Sequence, residues 1–197
     1  MPESAAGAGA GVGVEPDPRV ERSRRIILEA VLAELGEVGY GAMTIEGVAA
    51  RAGVGKSTIY RHWAGKLALV EDAFRTLKAQ ALVPESGAVR DRVIAFLEQV
   101  AGLVVESTYS ACMPALIEAA ERDPQVREFH CAFSSERLAV LADVLRDAIA
   151  SGELPADADP ELLADALVGP IVMRRLMFAE PFDPKQVPAL VDQVLPR

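Results

Sequence analysis

The chain has 197 residues, 51% hydrophobic, 25% charged and 5% aromatic, with a net charge of −9. That length supports an ample core, in a single compact unit or in one small and one larger domain. Abundant Ala, Leu, Val and Glu with few β-branched runs favour an all-helical fold, and no apolar run approaches the roughly eighteen residues of a membrane span.

Residues 1–18 are Gly/Ala-rich and end in Glu15-Pro16-Asp17-Pro18, which reads as a flexible lead-in. They lack a basic region followed by an apolar stretch, so they do not read as a secretory signal, and a cytoplasmic location is expected. Residues 19–39 form a first helix with a core stripe of Ile27, Leu28, Val31 and Leu35, closed near Gly39.

Residues 44–63 carry the most information. Ile45, Val48, Ala49 and Ala52 fall at helical spacing and give a second helix one buried face. Thr44 suits its N-cap, and Glu46 places a carboxylate at the positive end of the helix dipole. Gly53 follows the last periodic residue, where a left-handed backbone ends the helix. A third helix then buries Val54 and Ile59 and offers Lys56, Ser57, Thr58, Tyr60, Arg61 and His62 on its other side. Two short helices across a tight Gly turn make the unit that delivers a recognition helix to the major groove. Gly55-Lys56-Ser57-Thr58 imitates the end of a phosphate-binding loop. That motif needs a glycine where Ala50 stands and a strand before it, and neither is present in the pattern.

The rest continues as helices. Residues 66–82 carry Leu67, Val70, Phe74 and Leu77 at three- and four-residue steps, and Pro84-Glu85-Ser86-Gly87 breaks the pattern. A long helix is predicted at 88–107 and a short one at 113–122, with Pro114 in its first turn. Asp123-Pro124 opens a helix to about Ala150, closed by Gly152. Asp159-Pro160 opens 160–179, where Pro170 predicts a kink, and Asp183-Pro184 opens a last helix to about Leu195. Nine helices and no strand result.

Charge is unevenly placed. Residues 19–66 hold eight Lys/Arg against five Asp/Glu, whereas residues 67–197 hold twelve against twenty-one. A basic module on an acidic body can meet phosphates on one face. Arg22, Arg24 and Arg25 read either as a solvated helix face or, as a cluster, as backbone contacts. With two His, no GxSxG and no metal-ligand cluster, the chain is expected to be no enzyme and to need no cofactor or metal. Cys112 and Cys131 read as buried, reduced thiols.

Thr44-Ile45, Val48-Ala49, Ala52-Gly53-Val54, Thr58-Ile59-Tyr60-Arg61-His62 and Lys66 together resemble the TetR family of transcriptional regulators, closely over about residues 20–80. The resemblance implies an all-α nine-helix fold. Its parts would be a flexible segment at 1–18, a helix-turn-helix DNA-binding domain at 19–66, and a ligand-binding and dimerisation body at 67–197. It also implies roles. Thr44, Tyr60, His62 and Lys66 match phosphate-contacting positions, while Lys56, Ser57 and Thr58 match positions that reach bases or backbone, with Arg61 beside them. Thr44 also reads as a cap alone, Tyr60 as partly head packing, and Trp63 as core. Gly55 stands where the family carries Ser or Thr, so one phosphate-contacting hydroxyl is missing. Trp63 stands where Phe is common, a change expected to alter packing more than recognition.

In the body, Tyr109, Met113, Leu116, Phe129, Phe133, Met173, Met177 and Phe178 read as core, or as a group as the wall of an apolar effector pocket. The implied partners are a double-stranded DNA operator, a small-molecule effector and a second copy held through the last two helices, with no membrane. The function expected is a homodimeric repressor released from a near-palindromic operator by a small apolar ligand. An activator or ligand-independent regulator with the same head is the alternative, and a plain helical interaction protein the bland one.

Overall fold

A computed structural model describes residues 18–77, 82–106 and 108–195. The lead-in read at residues 1–18 falls, up to Asp17, outside the described residues, and so does the stretch 78–81 at the end of the fourth predicted helix. Among the described residues there are nine α-helices, one 3-10 turn and no strand.

Helix α1 spans Pro18–Ala42 and buries Ile27, Leu28, Val31 and Leu35, the predicted stripe, along with Ala30 and Leu32. Its helical geometry is interrupted at Gly39 (φ 78°, ψ 163°), a conformation open to glycine and strained for other residues. Helices α2 (Ile45–Ala52), α3 (Lys56–His62) and α4 (Lys66–Leu77) follow. The body comprises α5 (Val89–Glu106), α6 (Thr108–Ala120), α7 (Pro124–Ser151), α8 (Pro160–Phe178) and α9 (Val187–Val194).

All three Asp-Pro pairs act as read. Asp123 accepts from the Gln125 amide at 2.9 Å, and Asp159 from that of Leu162 at 3.0 Å. Asp183 accepts from the Lys185 amide at 2.9 Å, opening a 3-10 turn at Pro184–Gln186 that runs into α9. Each such cap is worth about 1 kcal/mol. Helix α8 runs through Pro170, which neither ends nor divides it.

The largest departure concerns α6. It begins at Thr108, not 113, and places Pro114 inside the helix. Proline there deprives the Ser110 carbonyl of its helical donor. Arg175 of α8 supplies another: its Nη2 donates to the Ser110 carbonyl at 3.2 Å and its Nε to Ser110 Oγ at 2.8 Å. An internal proline is thus tolerated because a guanidinium replaces the missing amide.

Buried side chains form two clusters. One gathers α1–α4, α6 and the first half of α7 around Leu35, Ile59, Leu69, Phe74 and Leu116. The other joins α5, the second half of α7, α8 and α9 around Leu97, Leu145, Leu167 and Val191. The core therefore divides along α7, whereas the charge divides near residue 66. Helices α1 and α6 approach closely: a Cβ on Gly36 would lie 3.2 Å from that of Ala111. Beside this crossing, the Cys112 thiol donates to the Leu32 carbonyl at 3.1 Å, and burial pushes its pKa up to about 11. Cys112 is a buried free thiol as expected. Cys131 departs from the expectation: it is also free but lies exposed on α7.

Candidate nucleic-acid interface and body cavity

Local chemistry builds the two short helices. Thr44 Oγ1 accepts from the Gly47 amide at 3.0 Å, so its hydroxyl caps α2 while the residue stays exposed. Gly53 takes the left-handed conformation (φ 66°) that closes α2 and turns the chain into α3. Gly55 occupies the N-cap of α3 with no side-chain hydrogen bond.

Ile59 is fully buried and fixes the rotation of α3. Lys56, Ser57, Tyr60, Arg61 and His62 are consequently exposed, and Thr58 is half-buried. Tyr60 is 57% exposed, with the rest of its surface covered by the head. Lys56 Nζ lies 2.9 Å from Glu46 Oε1 of α2, and this hydrogen bond holds the Glu46 carboxyl below its usual range. An exposed pair of this kind is weak and opens readily to a competing anion.

Trp63 is core, as read: it is buried, and its indole donates to Asp72 Oδ2 at 2.9 Å. Arg24 Nη2 reaches both oxygens of the same carboxylate, at 2.8 and 2.7 Å, so it ties α1 to α4. Arg25 lies 3.8 Å from Glu29 along its own helix. Arg51 binds Glu34 at 2.9 Å and also pairs with Glu37, which fastens α2 to α1.

Lys66 is placed differently from the surface cations. Its ammonium donates to the carbonyls of Tyr40 (2.7 Å) and Met43 (3.1 Å) and sits 4.3 Å from the Tyr40 ring centroid. These carbonyls lie just past the break at Gly39, where the helical pattern no longer supplies donors. Burial lowers the Lys66 pKa.

The body holds a cavity of about 500 Å³ between α5, α6, α7 and α8. Of the eight residues read as its wall, Tyr109 and Met113 line it. Leu116 and Phe133 are instead buried in the head-side core, with Phe129 packed against it. Met173, Met177 and Phe178 are 50%, 74% and 59% exposed on α8, away from that wall. The apolar lining that sequence reasoning missed comes from Phe96, Val100 and Val104 of α5, Ile117 of α6, and Val168 and Val172 of α8. It also missed His130, Ser134 and Arg137, which line the cavity from α7. Their spacing of four and three residues was a signal: it puts three polar side chains on one face of α7. Among the described residues no group of His, Cys, Asp and Glu is arranged to hold a metal ion, and no single helix is long and apolar enough to cross a membrane.

Two short helices with an exposed cationic face, carried on a helical body, have the layout of a helix-turn-helix DNA-binding domain. Comparison with known proteins specifies the class further. Residues 27–73 match the model for bacterial regulatory proteins of the tetR family, and residues 83–194 match the tetracyclin repressor-like C-terminal domain. The uncharacterised HTH-type transcriptional regulator YdeS of Bacillus subtilis is 30% identical over 176 residues, 88% of each chain. The DNA-binding transcriptional repressor TetR of Mycobacteroides abscessus is 29% identical over 183 residues, 90% of this chain and 94% of that one. The solved TetR family transcription regulator SCO0332 superposes with a TM-score of 0.68 at 32% identity, covering 87% of this chain and 96% of its own. The chain belongs to the TetR family of helix-turn-helix transcriptional regulators, proteins that act on DNA and are not enzymes.

Proposed function

We propose that the chain is a homodimeric, cytoplasmic repressor that leaves a near-palindromic operator when a small apolar ligand enters the body. Residues 19–66 form the DNA-binding domain and residues 67–197 the ligand-binding and dimerisation body. The observation that carries the reading is the exposed face of α3. Lys56, Ser57 and Arg61 are exposed and Thr58 half-buried, and they would meet bases or backbone; Tyr60, His62 and the Thr44 hydroxyl, also exposed, would meet phosphates. Gly55 lets the DNA backbone approach the start of α3 without adding a hydroxyl.

One head spans only about half of an operator, so two are needed. Helix α8 supports a two-fold pairing. Leu162, Ala166, Gly169, Met173 and Met177 recur at three- and four-residue steps and are all exposed, a small-residue and apolar stripe that a second copy would cover. Release follows from a population shift, provided the ligand prefers the head spacing that does not fit DNA.

Selection of bound sequences from random duplex DNA tests this, with a Leu162→Asp/Met173→Asp variant alongside. The parent is expected to enrich a site with two inverted half-sites and to run as a dimer by light scattering. The variant is expected to run as a monomer and to lose that enrichment. A parent that is monomeric, or that enriches single half-sites only, would overturn the dimeric reading. Tighter operator binding in the presence of ligand would replace repression with activation.

A further inference from the structure

Four polar groups line the cavity: His130, Ser134, Arg137 and Tyr109. His130, Ser134 and Arg137 share one face of α7, and Tyr109 lies across from them on α6. Among the described residues, no hydrogen bond or ion pair joins any of the four side chains to another group. Arg137 is half-buried, its Cζ resting 4.9 Å from the Tyr109 ring centroid and 5.4 Å from that of Phe133. Two aromatic faces hold the guanidinium in place but leave its N–H edge unmatched. Burial raises the Tyr109 pKa and lowers that of His130; the Tyr109 and Ser134 hydroxyls add O–H donors beside the guanidinium. The remaining wall is apolar: Phe96, Val100, Val104, Met113 and Val172. Two carboxylates, Glu136 and Asp165, also border the cavity, but both residues are exposed, where water screens them.

We propose that the cavity takes an amphipathic anion, with a carboxylate held by Arg137 and the neighbouring Ser134 and Tyr109 hydroxyls and an apolar body lying along α5 and α8. This rests on the reading of the cavity as an effector site. A half-buried guanidinium with no anionic partner costs solvation that is recovered only when an anion arrives. The forked donor edge matches a carboxylate, and a neutral head group of similar size gains less from it. Arg137 also touches Tyr109 and Phe133, both of which pack against Phe74 of α4, so the occupied anion site would bear on the helix that connects head and body.

Calorimetric titration of the full-length protein with decanoate, 1-decanol and decylamine tests the assignment, since one chain carries three head groups. Decanoate is expected to bind at least about tenfold more tightly than decanol, the scale of a charged hydrogen bond. Arg137→Gln, checked for an unchanged melting temperature, is expected to erase that preference while leaving decanol affinity within a factor of about three. Leu138 of α7 also lines the cavity, and Leu138→Trp, which fills it, is expected to abolish binding of both. Equal affinity for acid and alcohol, both lost in Leu138→Trp, would overturn the anion proposal and leave the effector cavity standing. A preference for decylamine, or decanoate binding unaffected by Arg137→Gln, would also overturn it. Failure of all three probes to bind the parent would overturn the proposal and the effector reading together.

Discussion

Phe74→Ala is expected to lower stability by about 3–5 kcal/mol, the usual range for removing a fully buried phenylalanine. Phe74 has no exposed surface, and its ring meets Phe133 at 5.4 Å, Phe129 at 5.8 Å and Tyr109 at 6.2 Å, each near-perpendicular. Edge-to-face contacts add to the burial term, and three at once leave little freedom to collapse the resulting void. For a chain of this size, the melting temperature should fall by roughly 6–20 °C. Phe74→Leu, which keeps most of the volume, should cost appreciably less. Because this cluster joins α4 to α6 and α7, the alanine protein should also show faster proteolysis in α4 than in α8. A melting temperature within a degree or two of the parent would mean that α4 does not pack on the body as described.

The second large effect separates two kinds of cation in the head. Lys56→Ala and Tyr60→Ala should each weaken operator binding by about 1–3 kcal/mol; loss of the Lys56 cation should flatten the salt dependence by about one charge, whereas loss of the neutral Tyr60 should leave the slope unchanged. Both residues are exposed and neither supports the core, so their melting temperatures should stay near that of the parent. Lys66→Ala should behave in the opposite way. Its ammonium supplies donors to the Tyr40 and Met43 carbonyls, and leaving them unmatched costs about 1–3 kcal/mol. The expected result is a lower melting temperature with an unchanged salt slope. A flattened slope with unchanged melting would instead place Lys66 on a phosphate, as the family resemblance implies.

The contrast between Lys56 and Lys66 marks how far the sequence could be read. Helix existence and most boundaries rested on local signals: the Asp caps, the glycine after α2, the three- and four-residue apolar steps. Those interactions span a few residues, so the pattern contains them. The partners of Lys66 and Arg24 lie 26 and 48 residues away along the chain, and no local spacing encodes them. The start of α6 was misplaced for the same reason, because Pro114 is compensated from α8.

The cavity wall failed differently. Residue type points to Met and aromatic side chains, but which side of α8 turns inward depends on its rotation against α5 and α7. Met173, Met177 and Phe178 ended on the outside, and smaller residues, Val168 and Val172, turned inward. The spacing of His130, Ser134 and Arg137 was legible on paper. Polar residues on a helix face read equally as a solvated surface, so that spacing alone does not mark a cavity wall.

The bridge from Arg175 to Ser110 has an evolutionary corollary. Pro114 and Arg175 share one constraint although 61 positions separate them, since the Ser110 carbonyl needs the guanidinium N–H where the proline has removed an amide. In a relative with an N–H-bearing residue at position 114, position 175 would be held only by its bond to the Ser110 hydroxyl and freer to vary. While the proline persists, even the nominally similar lysine would lose the two-pronged reach. Tolerance at either site is therefore conditional on the history of the other, a form of epistasis written into a single carbonyl.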